Sequence, residues 1–163
     1  MISDSLFALE LESRVHARPE IVFAFFTDAT LYRRWKGNDA ELDPRPGGLY
    51  RVHMPGQAVV EGVYLVVEPP HRIVFTWGWA GNAEVPPGST TVEVTLTRDG
   101  EETLVRLVHR GLPTATSRDE HAAGWRHYLA RLAVTGSGGD SGPDPLGAGP
   151  NADRSSGSPE VAQ

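Results

Sequence analysis

Six histidines and four tyrosines are the side chains of this chain best suited to moving a proton or orienting a polar ligand near neutral pH. His109 stands out among them. In TLVRLVHR (103–110) it alternates with Val105 and Leu107, which places it on the inward face of a strand. There it would donate a hydrogen bond to a ligand carbonyl, act as acid or base, or serve as a satisfied core histidine. His16, His53 and His71 fall on outward or loop positions and read as solvated. His121 and His127 are six apart on a helix and do not share a face for a metal. No HExxH, HxH or carboxylate cluster with ligand spacing occurs, so neither a metal nor a cofactor is expected. No GxSxG elbow and no Walker sequence is present, and the GxGxxA match at Gly147, Gly149 and Ala152 has no strand before it. Asp119–Glu120 and Glu101–Glu102 read as a solvated helix start and a hairpin rim. With no triad and no nucleophile, no catalytic residue is assigned, and binding is favoured over catalysis.

The aromatic residues carry a second kind of chemistry. Trp35, Tyr50, Tyr64, Phe75, Trp77 and Trp79 precede a helix that bears Trp125 and Tyr128. With Val52, Met54, Val94, Leu107, His109 and Leu129 they form a candidate lining for a small apolar ligand, a few polar groups fixing its orientation. Ordinary core packing is the competing reading. A dry void of ~150 Å³ would cost about 3–4 kcal/mol, a large share of a net stability of roughly 5–15 kcal/mol. An open pocket here would therefore have to be wet, occupied or useful.

The elements that must position these residues are legible in order. LFALELESRV (6–15) alternates as a half-buried strand. Pro19 suits the first position of a helix with Ile21, Val22, Phe25 and Phe26 on its apolar face. Thr27 or Asp28 caps a second short helix through Leu31, Tyr32 and Trp35, stopping at Gly37. Strand and turn signals follow: DPRPGG (43–48) as a turn, then LYRVHM (49–54), VVEGVYLVVE (59–68), RIVFTWGW (72–79), TTVEVTLT (90–97), a hairpin at Asp99–Gly100, and TLVRLVHR. SRDEHAAGWRHYLARLAV (117–134) is the one long helix. Ser117 with Glu120 reads as its capping box, Trp125, Tyr128, Leu129 and Leu132 form its apolar stripe, and Gly136 is its expected left-handed cap. Gly124 beside Trp125 suggests a close approach to another element. Strands in a run with helices segregated give an α+β fold: a curved antiparallel sheet of about seven strands around the long C-terminal helix.

Composition sets the limits. Sixteen of the 28 residues from Gly136 to Gln163 are Gly, Ser or Pro, so residues 1–135 are expected to form the domain and 136–163 a disordered tail. The chain has no cysteine, which excludes disulfides and thiolate chemistry and fits a reducing, cytoplasmic setting. MISDSLFALELESRV carries acids within its apolar residues, unlike a signal peptide, and no stretch approaches the ~18 apolar residues of a membrane span. A net charge of −6 without a basic run argues against nucleic acid or an anionic membrane as partner.

Five stretches resemble a known family. ARPEIVFAFFTDATLYRRW (17–35), DPRPGG (43–48), EGVYLVVEPPHRIVFTWGW (61–79), TTVEVTLTRDGEETLVRLVHRGLP (90–113) and HAAGWRHYLARL (121–132) run in the order of the SRPBCC, or START-like helix-grip, superfamily. The branch they resemble is that of the heat-shock-protein-90 ATPase activator homologues, of the bacterial single-domain type. The resemblance implies a cup that holds a small hydrophobic molecule, polyketide- or lipid-like, between sheet and final helix. It also implies a use in binding secondary metabolites or in self-resistance. Cyclase or aromatase chemistry on the same cavity, and a co-chaperone-like protein interaction, are the alternatives it brings.

Overall fold

The computed structural model describes residues 6–142. Strand β1 (Phe7–Val15) leads into α1 (Pro19–Thr27) and α2 (Ala29–Tyr32). Six strands follow: β2 (Asp39–Leu42), β3 (Leu49–His53), β4 (Val59–Glu68), β5 (Arg72–Trp77), β6 (Thr90–Asp99) and β7 (Glu102–Leu112); α3 (Ala115–Gly136) closes the domain. All seven strands form one antiparallel sheet in the order β1-β7-β6-β5-β4-β3-β2. The first strand thus lies beside the last, and the sheet curves around α3 in a helix-grip arrangement. The α+β expectation holds, with the two short helices after the first strand.

Alternation explains the inward face. Pairing sets Tyr64, Phe75, Val92, His109 and Leu9 in one row across five strands, and Ile73, Val94, Leu107 and Leu11 in the next. Tyr64, Ile73, Phe75, Val92, Val94, Leu107 and His109 are all buried. The opposite face carries cross-strand ion pairs such as Glu93 with Arg72 and Arg110, and Glu10 with Arg106. These solvated pairs contribute at most about 1 kcal/mol each and serve mainly to keep that face polar.

The short helices begin where proline and a cap put them. Pro19 occupies the first turn of α1, and Asp28 Oδ1 accepts from the amides of Thr30 and Leu31 at the start of α2. α2 ends at Tyr32, earlier than the apolar spacing implies, and residues 33–36 continue as a turn that delivers Trp35 and Lys36 to the interior.

Helix α3 departs from expectation at both ends. Its cap is Thr114, whose Oγ1 accepts from the amide of Ser117 at 2.9 Å. Ser117 instead lies buried inside the first turns. Gly124 borders open space, with no atom beyond its chain neighbours and its own helix backbone within 4 Å of where a Cβ would stand. The close approach occurs at Gly136, where a Cβ would lie 2.8 Å from Val15 Cγ1. Gly136 is the last helical residue and not a left-handed cap; that conformation appears at Gly138, with φ +100°. Beyond it the chain folds back, with Ser141 Oγ donating to Arg131 O at 2.9 Å and Arg131 reaching the carbonyls of Ser141 and Gly142. The remainder of the expected tail lies outside the described residues.

Candidate functional site

The predicted lining residues divide into two connected clusters. Toward α1 and α2, Trp35, Tyr50, Tyr64 and Phe75 pack with Phe26 and Tyr32. Tyr50 stacks on Phe75 at 4.2 Å between centroids and meets Tyr32 and Tyr64 edge to face. Trp35 donates its indole N–H to Phe25 O at 2.9 Å. The hydroxyls of Tyr32 and Tyr50 hydrogen-bond to each other. Burial above all pushes the hydroxyls of Tyr32, Tyr50 and Tyr64 well above their ordinary range, the neighbouring hydroxyls adding to it at Tyr50 and Tyr64 and the charge of Asp43 at Tyr64, so they remain neutral. Val52, Met54, Val94, Leu107 and Leu129 are buried around these rings.

The second cluster is built from β5, β6, β7, the loop after β5 and α3. Trp77 meets Trp125 at 5.0 Å, Trp79 at 5.8 Å and His109 at 5.4 Å between ring centroids. His109 is fully committed. Trp125 Nε1 donates to its Nδ1 at 3.1 Å. Its Nε2 lies 2.8 Å from Thr90 Oγ1, whose own proton goes to Trp77 O at 2.8 Å. His109 therefore carries its proton on Nε2 and donates it to Thr90. Burial, then the neighbouring His121 and the charge of Lys36, hold its pKa well below the usual imidazole value.

Three members of this cluster were absent from the sequence-based lining: Lys36, His121 and Thr90. Lys36 is only 2% exposed, and its ammonium lies 4.7 Å over the Trp77 ring and 5.1 Å over those of Trp125 and Tyr128, 3.5 Å from Met54 Sδ. His121 Nδ1 donates to Ser117 O at 2.8 Å, and its Nε2 accepts from Trp79 Nε1 at 3.1 Å. Burial and Lys36 lower its pKa, against the opposing pull of the Ser117 carbonyl, Glu120 and Glu84. Two of the three had a signal in sequence. His121 precedes Trp125 and Tyr128 by four and seven residues, which is the α3 stripe, and Thr90 alternates with Val92 and Val94. Lys36 had none, since a lysine after a short helix ordinarily points to water.

Trp79 lies beyond the end of β5, half-buried, in a loop (78–88) whose first residues stay bonded to β4, Glu61 N donating to Gly78 O at 2.8 Å and Ala80 N to Val59 O at 2.9 Å. The Trp79 amide donates to Val85 O, and Asn82 Oδ1 accepts from the amides of Glu84 and Val85. Gly78 abuts Pro86, where a Cβ would fall 1.7 Å from its carbonyl oxygen. From this loop Trp79 packs on the rings of Trp77 and His121, and Val85 is buried. Two surface clefts of about 450 and 470 Å³ lie elsewhere, one beside Ile21 and Phe25 and the other between Arg33 and Arg131, and neither is lined by a predicted ligand residue. Among the described residues no helix is long and apolar enough to cross a membrane.

A curved sheet gripping a C-terminal helix over a buried polar–aromatic cluster defines the helix-grip class. Residues 16–136 match the family model described as "Activator of Hsp90 ATPase homolog 1-like protein", and the chain belongs to that family. It is similar to an AHSA1-like protein of Rhizobium etli, solved in solution, at 44% identity over 86% of this chain and 88% of that one, with a TM-score of 0.70. CalU16 from Micromonospora echinospora is 25% identical in its crystal structure over 80% of this chain and 76% of its own, with a TM-score of 0.66. DynU16, from the dynemicin biosynthetic locus, is 26% identical over 84% of this chain and 50% of its own length, with a TM-score of 0.71. A comparison with curated proteins gives no significant match.

Proposed function

We propose that this protein binds a small hydrophobic molecule between the sheet and α3, at the end marked by Trp77, His109 and Trp125. The buried polar lining carries this reading. Lys36, Thr90 and His109 are buried beside Trp77, with Lys36 Nζ 4.7–5.1 Å from the ring centroids of Trp77, Trp125 and Tyr128, at positions where apolar side chains would ordinarily fill a purely structural core. Apolar burial at ~25 cal/mol per Å² would supply the affinity, and the polar groups its direction. The rings pack against one another here, so a ligand enters only as Trp79 and the loop after it move off Trp77.

Similarity to a protein of the dynemicin biosynthetic locus supports a polyketide-like or other secondary metabolite as ligand, and with it a binding or self-resistance role. The absence of cysteine is in keeping with a cytoplasmic setting. Binding is favoured over catalysis because both nitrogens of His109 are engaged within the protein, leaving neither to move a ligand proton.

A thermal-shift and tryptophan-fluorescence screen of the full chain against polycyclic, sterol-like and lipid-like compounds tests this. A saturating ligand at 100 times its Kd should add about 2.7 kcal/mol of stability and quench tryptophan emission. A flat screen, repeated on protein refolded from denaturant to strip bound molecules, would overturn it in favour of a co-chaperone-like protein partner.

A further inference from the structure

Trp77 is 2% exposed, and its Nε1 is the only buried side-chain nitrogen or oxygen among the described residues that lacks a hydrogen-bond partner. An indole N–H only donates, so what it lacks is an acceptor. The groups around it are already engaged with one another. His109 accepts from Trp125 on Nδ1 and donates from Nε2 to Thr90, whose own proton goes to Trp77 O. His121 accepts from Trp79 on Nε2 and donates from Nδ1 to Ser117 O. Lys36, over the same Trp77 ring, also has partners within the protein. This end of the interior therefore offers a ligand one indole donor and no imidazole lone pair. A ligand hydroxyl or amine would bring a proton that neither ring could receive, and a buried proton without an acceptor is costly. A carboxylate would bring a charge and about four lone-pair sites to a single neutral N–H, and burial penalises it more heavily. A carbonyl oxygen asks for one donor and brings no proton.

We infer, resting on the ligand-binding reading above, that the ligand is a flat, neutral carbonyl compound of the aromatic-ketone kind whose oxygen accepts from Trp77 Nε1. Trp79 and Trp125 stand 5.8 and 5.0 Å from Trp77 between ring centroids and supply aromatic surface for its planar body. The oxygen fixes the orientation of that body within an otherwise apolar grip. It also separates carbonyl compounds from hydrocarbons of the same shape, since a site built to hydrogen-bond discriminates against a partner that cannot.

Equilibrium dialysis of the full chain at pH 7.5 with 2-acetylnaphthalene, 2-isopropenylnaphthalene and 2-naphthoate tests this directly. The three share one bicyclic body and differ in presenting a carbonyl, an alkene of the same shape or a carboxylate. The ketone should bind about tenfold tighter than the alkene, as one buried hydrogen bond allows, and tighter than the carboxylate. Trp77→Phe should bring ketone and alkene to equal affinity. The ranking on the unaltered protein stands even where that variant fails to fold. Equal binding of ketone and alkene would overturn the carbonyl assignment and leave the hydrophobic-binding reading in place, as would tightest binding of the carboxylate. A gap that persists in a folded Trp77→Phe would overturn the assignment to Trp77. Absence of binding by all three would count against both readings.

Discussion

Trp79 Nε1 donates to His121 Nε2 across 3.1 Å, and this bond ties the 78–88 loop to α3. It exists only while His121 is neutral, because a protonated imidazole has no lone pair to offer. The surroundings of that ring act in both directions: burial first, and then Lys36, favour the neutral form, while the Ser117 carbonyl, Glu120 and Glu84 favour the charged one, and the net effect is a lowered pKa. His109 is held lower still.

A pH dependence follows, and its sign is fixed. A histidine whose folded pKa lies below its ordinary value of 6.5 contributes stability that is complete above that value and is lost as the pH falls below it toward the folded pKa. Between pH 6.5 and 5, each such histidine should remove up to about 1.4 kcal/mol per pH unit. Urea midpoints measured from pH 8 to 5 should fall in that window, less steeply in His121→Gln. Hydrogen exchange in residues 78–88 should rise as the bond to His121 is lost. A flat profile down to pH 5 would contradict the assignment of both rings as neutral.

Two glycines of α3 should respond in opposite directions. Gly124→Ala meets open space and should stabilise the protein by about 1 kcal/mol, the helix-interior difference between the two residues. Gly136→Ala drives a methyl to 2.8 Å from Val15 Cγ1 and should destabilise by about 1–3 kcal/mol. Denaturant melts of the two variants decide the matter.

The Tyr32–Tyr50 hydroxyl pair should behave non-additively. Either Phe substitution alone strands a buried hydroxyl and should cost about 1–3 kcal/mol. The double variant removes both groups and should cost less than the sum of the single changes. Additive costs in a double-mutant cycle would show that the two hydroxyls do not depend on each other.

Much of this fold can be read from period-two alternation, because in one curved sheet a single buried face repeats the same instruction on strand after strand. Val92, Val94 and Leu96 on β6, and Val105, Leu107 and His109 on β7, point inward as their spacing requires. Helix ends were less legible. Ser117 with Glu120 satisfies the capping pattern, yet Thr114 caps three residues earlier, since β7 ends at Leu112 and leaves Thr114 extended at the entry to the helix. The glycines of α3 are illegible for a related reason: whether a missing Cβ reflects a close neighbour depends on the packing partner, and Val15 lies 121 residues away from Gly136. Lys36 was illegible in principle. Its burial arises where the turn after α2 meets β5 and α3, and no local pattern distinguishes it from a solvated lysine.

The most direct test of the central claim uses the four tryptophans, which give four indole N–H signals in a nitrogen–proton correlation spectrum. Each of three has a partner within the protein: Trp35 with Phe25 O, Trp79 with His121 and Trp125 with His109. Titration with a compound that binds in the screen should move the Trp77 Nε1–H signal furthest and downfield, with smaller changes at Trp79 and Trp125 and little at Trp35. A saturating ligand that leaves Trp77 unmoved while shifting Trp35 or surface amides alone would contradict a site between the sheet and α3.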